Sequence, residues 1–160
     1  MDKETFMIIR RVHEIFNKKG LKLSVAESCT GGLISHYITL LPGASRFFEA
    51  GVVTYSDESK KKILGLQSKT ISSHGVISKE TAKEMAERMR LLTKTGCAVS
   101  TTGNLGPDSL DGKDMGLIYT AVSMGGKTFV KELRFNGERH EIKEKAAVSA
   151  LEFLIEVIES

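Results

Sequence analysis

The pattern that most restricts this chain is a repeated change of hydrophobic period. Residues 4–19 put Met7, Ile8, Val12, Ile15 and Phe16 on one helical stripe, and Gly20 stands where a helix C′ residue belongs. Leu21, Leu23 and Val25 then alternate with Lys22 and Ser24, which predicts a strand over 21–26. Gly31–Leu41 reads as a helix with an apolar face, ended by Pro42-Gly43. Phe47–Tyr55 is rich in β-branched and aromatic residues and predicts a strand. Asp57–Leu64 reads as a short basic helix stopped by Gly65, and residues 66–77 as irregular. Ser78 can cap a helix over 79–94 whose stripe is Ala82, Met85, Ala86, Met89 and Leu92. Cys97–Thr101 reads as a short buried strand, and Gly103–Gly116 as a loop dense in turn residues. Leu117–Met124 and Lys127–Phe135, joined by Gly125-Gly126, predict a hairpin, and Glu138–Ile158 a closing helix.

Strands separated by helices, followed by one hairpin, predict an α/β fold. The expected architecture is a three-layer α/β/α sandwich around a mixed, mostly parallel sheet of about five strands. A length of 160 residues suits a single domain over 1–160. In such sheets ligands bind beyond the C-terminal ends of the parallel strands, which singles out Glu27–Gly32 and Thr102–Gly112.

Composition removes several alternatives. No apolar run approaches the length of a membrane span, and the first residues carry charges inside their apolar stretch, unlike a secretory signal. Cys29 and Cys97 cannot make a disulfide framework and fit a reduced, cytoplasmic setting. The net charge of +3 is spread thinly, so no nucleic-acid partner is expected. The one dense run, Lys60, Lys61 and Lys62, reads on charge grounds as a solvated helix face.

The strand-to-helix segment Ala26-Glu27-Ser28-Cys29-Thr30-Gly31-Gly32 combines candidate nucleophiles with glycines and a helix N-terminus, a setting for an anion or a developing oxyanion. As a plain structural turn it needs only Ser28 or Thr30 as helix cap. A serine nucleophile needs a base. No Gly-x-Ser-x-Gly elbow is present, and His13, His36, His74 and His140 form no triad or metal pattern. A neutral lysine is the other solution. Tyr55 at a strand end, with Lys60 five residues later on the first turn of a helix, offers one, since a helix N-terminus disfavours the ammonium form. Cys29 is a competing nucleophile, because a helix N-terminus can depress a thiol pKa. Asp108, Asp111 and Asp114 lack the calcium-loop pattern and read as solvated carboxylates, so no metal is expected.

These residues resemble the CinA C-terminal domain family, which includes nicotinamide-nucleotide amidases (PncC). The resemblance is carried by Ala26–Gly32, by Phe48–Ser56 with Lys60 and Leu64-Gly65, by Gly75-Val76-Ile77-Ser78, by Gly103 with Gly106-Pro107, by Gly116–Tyr119 and by Phe135–Arg139. It spans nearly the whole chain, and the separate N-terminal CinA domain is expected to be absent at this length. The resemblance implies hydrolysis of nicotinamide mononucleotide to the nicotinate form and ammonia, without cofactor. It places the nucleophile at Ser28, the general base at Lys60 and an orienting or relaying tyrosine at Tyr55. Backbone N–H groups of Thr30, Gly31 and Gly32 are expected to hold the oxyanion or the phosphate. Gly103, Asn104 and Gly106 belong to the substrate loop, and Arg139 pairs with the phosphate. It also implies a homodimer or higher homo-oligomer with no membrane partner. The alternative is a non-catalytic nucleotide- or partner-binding protein of the competence/damage-inducible type. Three departures fall around the substrate loop. Asn104-Leu105 stands where the family shows Ile-Ala, Ser109–Gly116 lacks the usual proline, and Lys143 replaces a usual arginine.

Overall fold

In the computed structural model, which describes all 160 residues, helix α1 (Lys3–Lys19) starts where the Asp2 carboxylate accepts from the Thr5 N–H at 2.7 Å. It ends at Gly20, whose φ of 64° is the left-handed conformation that closes a helix. Its buried face is Thr5, Ile9, Val12, His13, Ile15 and Phe16, whereas Met7 is 51% exposed. The face is rotated from the purely apolar stripe because His13 turns inward. Its Nε2 lies 2.8 Å from the Ile38 carbonyl, and its ring meets the Phe47 ring edge-on. A polar side chain with a partner is cheap to bury, and hydrophobic periodicity does not register it.

The elements that follow are β1 (Leu23–Glu27), α2 (Leu33–Thr39), β2 (Phe48–Val53), α3 (Asp57–Leu64), α4 (Ser68–His74), α5 (Lys79–Thr93), β3 (Cys97–Gly103), β4 (Leu117–Met124), β5 (Lys127–Arg134) and α6 (Arg139–Glu159). The five strands form one sheet in the order β2-β1-β3-β4-β5. β1 runs parallel to both β2 and β3, and β4 runs against β3 and β5. Four strands therefore share a direction, and β4 alone opposes them. On one face Leu23, Val25, Cys97 and Val99 pack against α1, α2 and α6 in the main core. On the other, Ala26 and Ala98 pack against Leu64, Leu66, Met85 and Met89. Apolar packing on both faces gives the three layers. Helix α4, absent from the sequence reading, buries none of its residues, so no apolar stripe announced it.

Helix α2 is shorter than its sequence pattern. Gly31 and Gly32 stand outside it with φ of 58° and 100°, a backbone that other residues rarely adopt. Gly32 has no side chain to cap the helix, and Glu27 does so instead from the end of β1. This carboxylate is fully buried. It accepts from the Ile34 N–H at 2.9 Å, the Ser35 N–H at 3.0 Å, the Ser35 hydroxyl at 2.8 Å and the Thr30 hydroxyl at 2.6 Å. All four partners are donors, as an ionised carboxylate requires. Because strand side chains alternate, the Glu27 side chain enters the α2 layer and that of Ser28 the opposite one. Glu27→Gln would turn an amide N–H₂ toward donors and leave at least one buried N–H unpaired. It is expected to lower stability by about 2–3 kcal/mol, read as a lower urea midpoint with unchanged slope; an unchanged midpoint would refute this account.

Candidate active site

Three parallel strands end together. β1 runs into Ser28, β2 into Thr54-Tyr55, and β3 into the loop after Gly103. Between them lies a cavity of about 120 Å³ that contains Ser28, Tyr55, Asp57, Lys60 and Arg139. A larger cleft of about 870 Å³ between α1, α2 and α6 contains none of these residues. The smaller cavity is the one with a serine hydroxyl beside a buried amine, which makes it the candidate site.

Lys60 is the central side chain. Ser56 caps α3 by accepting from the Ser59 N–H at 3.1 Å, which sets Lys60 on the first turn, facing back under the strand ends. It is 1% exposed. Its Nζ lies 2.9 Å from Ser28 Oγ, 2.9 Å from the Thr54 carbonyl and 3.2 Å from the Tyr55 carbonyl. No carboxylate bonds it. Burial lowers its pKa from the ordinary lysine value, against a smaller opposing pull from Asp57. In the neutral amine, two N–H groups satisfy the two carbonyls and the lone pair then faces Ser28 Oγ. The charge-run reading therefore fails at Lys60. Lys62, by contrast, is solvated and sits 3.4 Å from Glu58.

Tyr55 touches this pair only through its backbone. Its phenol is 59% exposed and accepts from Arg139 Nη2 at 2.8 Å. Arg139 also donates through Nη1 to the Gly106 carbonyl at 2.6 Å. Arg139 thus spans the mouth of the cavity from the first residue of α6. In this arrangement the phenol is not aligned to relay a proton between Ser28 and Lys60.

The turn after Ser28 also differs in detail from expectation. The Gly31 N–H donates to the Ser28 carbonyl at 3.1 Å, and the Thr30 hydroxyl is spent on Glu27 and Thr101. The N–H groups without an acceptor in the chain are those of Cys29, Thr30 and Gly32. Of these, only the Cys29 N–H belongs to a residue that lines the cavity, and the Gly31 N–H is already occupied. Lys143 Nζ lies against Gly31, where an added Cβ would come within 3.2 Å of it.

Asn104 lines the cavity and also organises its loop. Its Nδ2 donates to the Asp108 carbonyl at 2.9 Å and the Lys113 carbonyl at 3.2 Å, and its Oδ1 accepts from the Gly106 N–H at 2.8 Å. Gly103 lies flush against Leu117 and Ile118, and Gly106 against Met115, so both glycines have packing reasons to lack a Cβ. Asp111 accepts from the Val76 N–H at 3.3 Å. No group of three or more His, Cys, Asp or Glu side chains is placed to hold a metal ion. Burial pushes the Cys29 thiol up to about 12, the reverse of the depression a helix N-terminus would cause. Asp57 is the charged cavity residue absent from the sequence candidates, alongside the uncharged Val76, Ile77, Thr102, Leu105 and Leu110. An acidic residue in the first turn of a helix is common for dipole reasons, so its type carries no signal.

Because the unfolded chain binds a proton at Lys60 more readily than the folded chain does, wild-type stability should rise with pH from the lowered folded pKa up to the ordinary lysine range. Lys60→Met should remove that slope and leave the fold at least as stable at neutral pH. Urea denaturation across pH checks both; a strongly destabilised Lys60→Met would contradict the burial argument.

A family profile described as the CinA C-terminal domain matches residues 6–158. A competence-damage inducible protein of Caldanaerobacter subterraneus subsp. tengcongensis is 44% identical over 149 residues, covering 92% of this chain and 36% of that protein. A CinA-like protein of Kosmotoga olearia is 41% identical over 144 residues, covering 89% of this chain and 35% of that protein. The chain thus spans about a third of the length of the curated relatives it matches. Among solved structures, the competence/damage inducible protein CihA of Agrobacterium tumefaciens superimposes with a TM-score of 0.94 at 32% identity, covering 100% of this chain and 98% of that one. A CinA superfamily protein of Klebsiella pneumoniae gives a TM-score of 0.94 at 28% identity, covering 97% and 98%. With five strands in the foreseen layers and a family match over almost its full length, this chain belongs to the CinA C-terminal domain family.

Proposed function

We propose that the chain is a serine–lysine amidohydrolase that converts nicotinamide mononucleotide to nicotinate mononucleotide and ammonia. The observation that carries this reading is the Lys60 amine, 1% exposed and held by two backbone carbonyls with its remaining lobe 2.9 Å from Ser28 Oγ. This lysine is buried with no carboxylate partner, and burial lowers its pKa toward the neutral form that a proton acceptor needs. The names of the relatives speak of competence and damage and specify no reaction. The substrate assignment rests on the family resemblance together with Arg139, whose guanidinium stands at the mouth of the cavity.

In the proposed reaction the Lys60 amine takes the Ser28 hydroxyl proton as Oγ bonds to the carboxamide carbon. The oxyanion is received by free N–H groups of the Cys29–Gly32 turn. As the C–N bond breaks, the Lys60 ammonium gives its proton to the departing nitrogen, which leaves as ammonia. Water then attacks the acyl-serine and loses a proton to Lys60. Oγ departs with that proton, and nicotinate is released. Every proton is carried by this chain's own side chains. Arg139 exchanges its bond to the Tyr55 phenol for the substrate phosphate, which frees the phenol to turn inward.

Ammonia release from nicotinamide mononucleotide, measured with EDTA present, tests the proposal. Wild type should turn over, and Ser28→Ala and Lys60→Ala should each lose at least about a thousandfold in kcat, the loss typical of members of a catalytic unit. The rate should fall as pH drops below a Lys60 pKa lying under the ordinary lysine value. Thiol alkylation should leave activity intact, because Cys29 is buried with its pKa at about 12. A folded wild type that binds the nucleotide without releasing ammonia would favour the non-catalytic reading.

A further inference from the structure

We infer that Asp57 makes the site selective for a substrate whose ring, next to the scissile amide, carries positive charge. The inference rests on the amidase reading and adds the feature of the substrate that the chain recognises.

The cavity has a cationic or basic group at each end, Lys60 within and Arg139 at the mouth, and Asp57 is its carboxylate. Asp57 forms no salt bridge, although its neighbour Glu58 turns away to meet Lys62 at 3.4 Å. No hydrogen bond engages its side chain either, so the two acids of the α3 first turn differ. Both are exposed, but Glu58 is paired with Lys62 whereas Asp57 borders the cavity with its acceptors free. Position on the helix alone does not explain this, since either residue serves the helix dipole equally.

Asp57 also works against the catalytic base. A lysine that must be neutral loses from a neighbouring carboxylate, and Asp57 pulls the Lys60 pKa upward against the effect of burial. A carboxylate there is unfavourable for the bare dyad and becomes useful once the cavity receives a cation. The cavity lining also includes the apolar side chains of Val76, Ile77 and Leu105. An aromatic ring can pack on these side chains, where charge interactions are stronger than in water. A pyridinium ring alkylated at nitrogen is such a group: flat, apolar at its faces and positively charged. Hydrolysis then places a new carboxylate on the same ring. Asp57 attracts the substrate cation and repels the product carboxylate, which favours release.

The test compares wild type with Asp57→Asn, using nicotinamide mononucleotide as substrate and its reduced dihydropyridine form, with an uncharged ring, as a competitive ligand. The expected result is a rise in KM for the pyridinium of about tenfold, with the inhibition constant of the dihydro form unchanged within twofold. Inhibition by nicotinate mononucleotide should strengthen relative to substrate binding, and the acid limb of the pH–rate profile should move to lower pH. An equal change for the charged and uncharged rings, or no change for either, overturns the inference while leaving the amidase reading standing. Absence of ammonia release by folded wild type overturns the amidase reading and this inference with it.

Discussion

The buried Glu27 carboxylate is the contact on which the arrangement of the site depends. Removing an ionised group from water costs several kcal/mol unless its acceptors are filled, and here both oxygens take two donors each. Three of the four donors belong to the first residues of α2 and one to the turn before it. The carboxylate therefore joins the last residue of β1 to the helix that follows, and fixes the path of the chain between them. That path holds Ser28 at the strand end and leaves several main-chain N–H groups unclaimed.

Glu27 and Lys60 divide one strand end between two opposite layers. The carboxylate is filled by donors from α2 and the turn before it, and the amine is surrounded by the oxygen atoms of Ser28, Thr54 and Tyr55, just beyond the ends of β1 and β2. The two do not meet, because Glu27 and Ser28 leave the strand on opposite faces and Lys60, on α3, lies on the Ser28 side. Direct pairing would have neutralised both and held the lysine as an ammonium. Separation by the sheet keeps the helix cap charged and the amine free of a counter-ion, so the fold supplies both environments within two adjacent residues of β1 and its extension.

Much of this was legible in the residue pattern. The period changes located all five strands and five of the six helices, and the Ser28–Gly32 turn and the Tyr55–Lys60 spacing marked the two segments that meet at the cavity. What escaped has physical reasons. His13 is buried by one backbone carbonyl, which no periodicity reports. Helix α4 lies on the surface with none of its residues buried. Lys60 belongs to a run of three lysines, and only the three-dimensional placement of the Thr54 and Tyr55 carbonyls separates it from its neighbours. The Tyr55 phenol and Arg139 lie 84 positions apart, and their contact is purely tertiary. Asn104 looks like a recognition residue because amides often are, yet its donors and acceptor are consumed inside its own loop.

That loop is tied together mainly from within. Asn104 gathers the carbonyls of Asp108 and Lys113 and the N–H of Gly106. The loop's polar side-chain ties outward are the Arg139–Gly106, Asp111–Val76 and Asp114–Arg134 contacts. A segment that supplies its own keystone behaves as a cassette. Its crown can be recut by mutation without disturbing the strand ends beneath. Changes between Gly103 and Gly116 can thus be inherited separately from the Ser28–Lys60 pair at the strand ends, so the rim and the floor of one cavity are free to drift at different rates.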